Sequence, residues 1–311
     1  MKRRVFLGPR RPLLGGRRGL FGWTAFAAFA AGCGELGAPP SPPLFAVPVA
    51  VEGRSIGHAV IDTGGGYELM LREPYDLAVV DTAEVLAFGG TEQVLITEGF
   101  TYTAGGVDTV AEFALLGVSV CDCNGLGFRF FQRTGVILGL DFTDLTPRFV
   151  HTVPPGGTVV AFHAPPDILS EFDSAFIEVD VSASGTTRRV LGVLDTGANV
   201  TVLRRGVLPG DVLPMQDRMT VTVAHTALGT VAGTTMLFDT PGLPDMILGV
   251  DIMQAWGDRW YFDYTSGGTI TVFAAADRDG VPKRRAVDRA GRSRWVAPGG
   301  WRPRAAASPP Q

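Results

Sequence analysis

The chain has 311 residues, 46% hydrophobic and 19% charged, with 27 basic and 31 acidic side chains. Its length and apolar content exclude a disordered protein and leave room for two modest domains or one large one, each with a core of its own. With 41 glycines, 22 prolines and short runs rich in Phe, Val, Ile and Thr, the composition predicts many short strands joined by tight turns.

Seven basic residues and no acidic one fall in the first twenty positions, and an apolar stretch runs from Leu20 to Ala31. This is the layout of an export signal, too short to be a membrane span of roughly 20 apolar residues. Arg3-Arg4-Val5-Phe6-Leu7 resembles a bacterial twin-arginine signal. Ala30-Ala31-Gly32-Cys33 resembles a lipobox, which would make Cys33 a diacylated N-terminus; the alternative is a plain signal peptide cut nearby. The expected segments are an export signal over 1–32, a linker over 33–43, a first lobe over 44–165, a second over 166–275 and a basic tail over 276–311. The localisation expected is outside a bacterial cytoplasm, as a periplasmic or outer-membrane lipoprotein.

From 33 to 273 there are 11 basic against 28 acidic residues, which would repel nucleic acid. The tail, with nine basic and three acidic residues among Pro, Ala and Gly, reads as solvated. Cys121 and Cys123, one residue apart, are expected to be free or weakly structural thiols, because a disulfide would close a small ring. No zinc spacing is present, and neither a metal nor a cofactor is expected.

The body is organised by repetition. VIDTGGGYELML (60–71) is echoed by VLDTGANVTVL (193–203), and VILGLD (136–141) by MILGVD (246–251). RFVHTVPPGGTVVAF (148–162) is echoed by RWYFDYTSGGTITVF (259–273). Phe176 to Val181 and Met219 to Val223 alternate apolar and polar residues, the pattern of strands with one wet face. Asp141 and Asp251 are expected to cap short helices. The segments 84–100 and 220–236 read as hairpins. His58 and His225 are expected to be ordinary strand and hairpin residues.

Paired Asp-Thr-Gly phrases, each followed downstream by an apolar-apolar-Gly, resemble the aspartic proteases: a retropepsin-like lobe duplicated in one chain, as in the pepsin clan. The resemblance covers about 44 to 273. Asp-Thr-Gly-Ala at 195–198 is similar to the retropepsin form, whereas Gly65 departs from it. It implies an all-β fold of two similar β-barrel lobes with a cleft between them, in a monomer with internal pseudo-two-fold symmetry. It also implies an aspartic endopeptidase acting on polypeptide, with Asp62 and Asp195 activating a water. Thr63 and Thr196 would bond across to the opposite loop, and Gly64 and Gly197 would let each loop turn tightly. Gly139 and Gly249 would pack beside the loops, and a flap would cover the substrate. The chemistry asks for two carboxyl groups because like charges at close range retain one proton between them, leaving one base and one acid. The rival reading is a non-catalytic surface lipoprotein that binds peptide or another ligand on the same fold. Paired carboxylates also serve glycoside hydrolysis, but that leaves the repeat unexplained. Gly-x-Ser-x-Gly, His-Glu-x-x-His and phosphate-loop motifs are absent from the sequence.

Overall fold

The structure is a computed structural model that describes residues 45–87, 90–116, 123–164, 174–210, 212–213, 217–239, 244–265, 267–274, 286–287 and 293–294. The export signal, the linker, Cys33, Cys121 and most of the tail lie outside these residues.

The first half contributes β1 (Ala46–Val51), β2 (Arg54–Asp62), β3 (Leu69–Leu71), β4 (Val79–Ala87), β5 (Gly90–Thr97), β6 (Phe100–Ala104), β7 (Val107–Ala111), β8 (Leu115–Leu116) and β9 (Asn124–Gly127). They form one sheet in the order β4-β5-β8-β3-β9-β2-β1-β6-β7. Next come α1 (Phe128–Thr134), β10 (Ile137–Asp141), β11 (Thr146–Val150) and β12 (Thr158–Ala161). The second half contributes β13 (Phe176–Ala183), β14 (Thr186–Leu194), β15 (Val202–Arg204), β16 (Arg218–His225), β17 (Gly229–Phe238) and β18 (Met246–Leu248). These close into a barrel, β13-β14-β18-β15-β17-β16. Finally α2 (Val250–Trp256) leads to β19 (Arg259–Asp263) and β20 (Thr269–Phe273). A five-stranded sheet, β11-β10-β19-β20-β12, joins strands of both halves.

Two expectations are corrected here. The described residues are 56% strand and 7% helix, with two real helices among them, a mixed α/β fold rather than all-β. The two halves are also not similar barrels, so the retropepsin-like duplicated lobe and the internal pseudo-two-fold symmetry are not what the sheets show. The reason lies in the hairpins. In the second half a single hairpin does two jobs, β16 pairing with β13 while β17 pairs with β15, and the barrel closes. In the first half that work is divided. The β6–β7 hairpin docks on β1, and the β4–β5 hairpin reaches β3 only through β8, which leaves β4 and β7 as the edges of an open sheet among the described residues.

The second repeated phrase takes a different place in the structure. Met246–Leu248 runs parallel to β14 and leads into α2. Its counterpart beside β2 is not Ile137–Asp141 but β9, which runs parallel to β2 and leads into α1. Strand β10 belongs to the five-stranded sheet, where it pairs with β19. Both helices are capped by a glycine in extended conformation, Gly127 (φ −83°, ψ 173°) and Gly249 (φ −79°, ψ 177°). Neither Asp141 nor Asp251 is a cap: Asp141 Oδ1 accepts the Thr143 N–H at 2.9 Å in a turn, and Asp251 lies in the first turn of α2.

The main core spans both halves, with Phe45, Phe128, Phe130, Phe131, Phe176 and Trp260 among its fully buried side chains. A smaller cluster, Tyr67, Met70, Ala83, Val85, Val94 and Leu115, fixes the β4–β5 hairpin against the loop after β2. Cys123 is disulfide-bonded, which corrects the expectation of free thiols for that residue. Among the described residues no helix is long and apolar enough to cross a membrane.

Candidate functional site

Strands β2 and β14 each end at an Asp-Thr-Gly, and the parallel neighbour fixes where each loop begins. Asp62 stands opposite Gly127, and the Asp195 N–H donates to Leu248 O at 3.0 Å. The loops then face each other. Thr63 N–H donates to Thr196 Oγ1 at 3.1 Å, and Thr196 N–H donates to Thr63 Oγ1 at 3.0 Å. Each hydroxyl passes its own proton on, Thr63 Oγ1 to Leu194 O at 2.8 Å and Thr196 Oγ1 to Ile61 O at 2.7 Å. All four groups are buried, so the reciprocal set leaves no donor unmet at the junction. Ser174 Oγ adds a bond to Thr63 O at 2.9 Å.

This clasp brings Asp62 and Asp195 together, both wholly buried. The two carboxyl groups are close enough for each to shift the titration of the other. Gly197 N–H donates to Asp195 Oδ1 at 2.8 Å, and the Tyr67 hydroxyl donates to Asp62 Oδ2 at 2.8 Å. Asp62 Oδ1 and Asp195 Oδ2 have no hydrogen-bond partner among the described residues. With both groups ionised these oxygens would be buried and unpaired; one shared proton gives both a partner. The glycines permit the close approach. A Cβ on Gly64 would lie 2.7 Å from Asp195 Oδ2, and one on Gly197 3.2 Å from Asp62 Oδ1.

The electrostatics follow from this geometry. Burial raises Asp62 to about 6, opposed by hydrogen bonds from Asp195, Tyr67 and the backbone of Gly65 and Gly64. Asp195 is pushed well above the carboxylate range by burial and then by the charge and hydrogen bond of Asp62. Asp195 is therefore the member that keeps the proton longer, and Asp62 the one that ionises first.

Tyr67 escaped the sequence reading, which passed over the aromatic residue following three glycines. Gly65 is explained by it: a Cβ there would lie 2.6 Å from both Asp62 Oδ2 and Tyr67 Cε1. Tyr264 is also buried and held above its ordinary value by burial and by the charges of Asp62 and Asp195. His58 is an exposed strand residue, and His225 Nδ1 accepts the Ala227 N–H at 3.1 Å within its own turn. Gly139 packs on Tyr261, away from the loops, whereas Gly249 lies against Ala198 and Val200.

Two pockets adjoin this region. One of about 460 Å³ is lined by Phe162, His163, Ser174 and Tyr264, and one of about 260 Å³ by Tyr67, Glu68, Glu112 and Arg133. Neither is lined by Asp62 or Asp195. Among the described residues no group of three or more His, Cys, Asp and Glu is placed to hold a metal ion.

The endopeptidase assignment is corrected on these grounds. It rested on two similar lobes with an open cleft, whereas the sheets differ and both carboxyl groups expose no surface to a polypeptide. The polypeptide partner and the ligand-binding rival drawn on the same fold lose their basis with it; the membrane anchor expected at Cys33 lies outside the described residues. No protein-family model matches the chain, and no curated protein matches it.

Proposed function

We propose that Asp62 and Asp195 form an acid–base centre: a carboxyl pair holding one proton, able to accept a proton at one member and donate at the other toward a small polar group. The observation that carries this reading is the pair of buried oxygens, Asp62 Oδ1 and Asp195 Oδ2, which have no partner among the described residues and which one shared proton would satisfy. A structural ion pair would use groups of opposite charge. Two like groups buried together cost stability even when one proton neutralises the pair in part, and such an arrangement points to function.

The centre is closed in this structure, and the β4–β5 hairpin is its cover, since Ala83, Val85 and Val94 pack around Tyr67 beside Asp62. Lifting that hairpin admits a ligand while the clasp of Thr63 and Thr196 stays intact.

The test is a titration of the two carboxyl carbons by NMR with acetamide, a neutral probe carrying both an acceptor and a donor. Saturable movement of both signals together is expected in the wild type. Absence of any saturable movement in the wild type overturns the acid–base reading.

A further inference from the structure

We propose that Tyr67 is a positioning residue that decides which member of the carboxyl pair carries the proton, through the hydrogen bond of its hydroxyl to Asp62 Oδ2. This inference rests on the acid–base reading above and deepens it.

The site is built to hold this one phenol. Tyr67 is 1% exposed and sits in a slot of three glycines. A Cβ on Gly65 would lie 2.6 Å from the ring, a Cβ on Gly125 would collide with the Tyr67 hydroxyl, and one on Gly127 with the Tyr67 carbonyl. The remaining sides are apolar, with Met70, Val85, Val94 and Leu115 packed in the same cluster. In such surroundings the hydroxyl has one acceptor, Asp62 Oδ2 at 2.8 Å.

The consequence is an asymmetry between two groups that the clasp otherwise treats alike. A phenol that donates stabilises an ionised acceptor more than a neutral one. Asp62 has this donor. Asp195, on the other loop, has Gly197 N–H but no hydroxyl. The proton therefore resides on Asp195, which makes Asp62 the acceptor and Asp195 the donor in any acid–base step. The phenol itself stays protonated: burial, and then the charge of Asp62, hold it well above its ordinary value.

Tyr67→Phe keeps the ring and removes only the bond. Followed by carboxyl-carbon NMR, it is expected to raise the Asp62 midpoint by about one pH unit, and Asp195 falls correspondingly as the proton redistributes. Tyr264→Phe is the control, since the Tyr264 hydroxyl is buried in the same field but bonds neither carboxyl group; it should leave both midpoints in place. A merely structural Tyr67 would lower the melting temperature without moving either midpoint, and that result overturns the inference. Should Tyr67→Phe not fold, the wild type supplies the test. The Tyr67 Cζ signal is expected to move with the Asp62 midpoint, and a Cζ signal indifferent to it overturns the inference. Ordinary, independent midpoints for both aspartates in the wild type would instead refute the acid–base reading itself.

Discussion

The Thr63 backbone and the Thr196 side chain are 133 positions apart in sequence and 3.1 Å apart in space, and Thr196 returns the same bond to Thr63 at 3.0 Å. This exchange, rather than any likeness between the sheets, sets the two carboxyl groups face to face.

Replacing Thr63 by Val keeps the shape and removes the hydroxyl, which strands the buried Thr196 N–H and the Leu194 carbonyl. A loss of about 1–3 kcal/mol is expected from denaturant melts, with Thr63→Ser recovering most of it. Equal stability of the Val and Ser variants would contradict the clasp.

Gly64 and Gly210 make opposite predictions for the same change. A methyl at Gly64 would lie 2.6 Å from Asp195 Cγ, while one at Gly210 meets nothing within 4 Å. Gly64→Ala should cost about 1–3 kcal/mol by overpacking, and Gly210→Ala should leave the melt nearly unchanged.

The pH dependence of stability has a definite sign. Asp62 goes from 3.8 to about 6 on folding, and Asp195 moves in the same direction. The folded state thus binds more protons than the unfolded state across that window. Their contribution is full below the ordinary aspartate range; the Asp62 part is lost as pH rises through about 6, and the Asp195 part at higher pH. For Asp62 alone it is on the order of 3 kcal/mol. The Asp62→Asn/Asp195→Asn double variant should be flatter than wild type between pH about 4 and 7 in chemical denaturation. Asp144 and Asp180, held low by hydrogen bonds from Thr146 and Arg189, are common to both proteins, so they cancel.

Trp260 tests the sheet that joins the halves. It is fully buried, stacks on Phe262 at 6.1 Å and sits on β19 opposite Leu140 of β10. Trp260→Ala should cost about 3–5 kcal/mol in a single cooperative transition. Separate melting of the two halves would show that the joining sheet does not couple them.

The sequence made some of this legible for identifiable reasons. The strands Phe176–Ala183 and Arg218–His225 alternate buried and exposed residues, a pattern that periodicity reveals. The two Asp-Thr-Gly phrases were visible as a repeat, and the structure places both at the junction. The equivalence of Ile137–Asp141 with Met246–Asp251 misled, because Ile-Leu-Gly suits two different settings. In β18 it flanks the loop strand, and in β10 it pairs with β19 in another sheet. The true neighbour, Asn124–Gly127, spells a weaker phrase, and its helix of seven residues is too short to display a helical period. The asymmetry of the sheets depends on which edge each hairpin reaches, a long-range choice that local pattern does not encode. Tyr67 was hidden because its partner, Asp62, is made close by the turn that the three glycines permit.

Infrared spectroscopy of the carboxyl stretch gives the most direct check on the central claim of one proton held between Asp62 and Asp195. At pH about 7, above the value of about 6 for Asp62 and well above that of ordinary aspartates, the wild type is expected to retain a protonated buried carboxyl band, carried by Asp195, that Asp195→Asn abolishes. A wild-type spectrum without that band, or one that Asp195→Asn leaves untouched, would contradict the account.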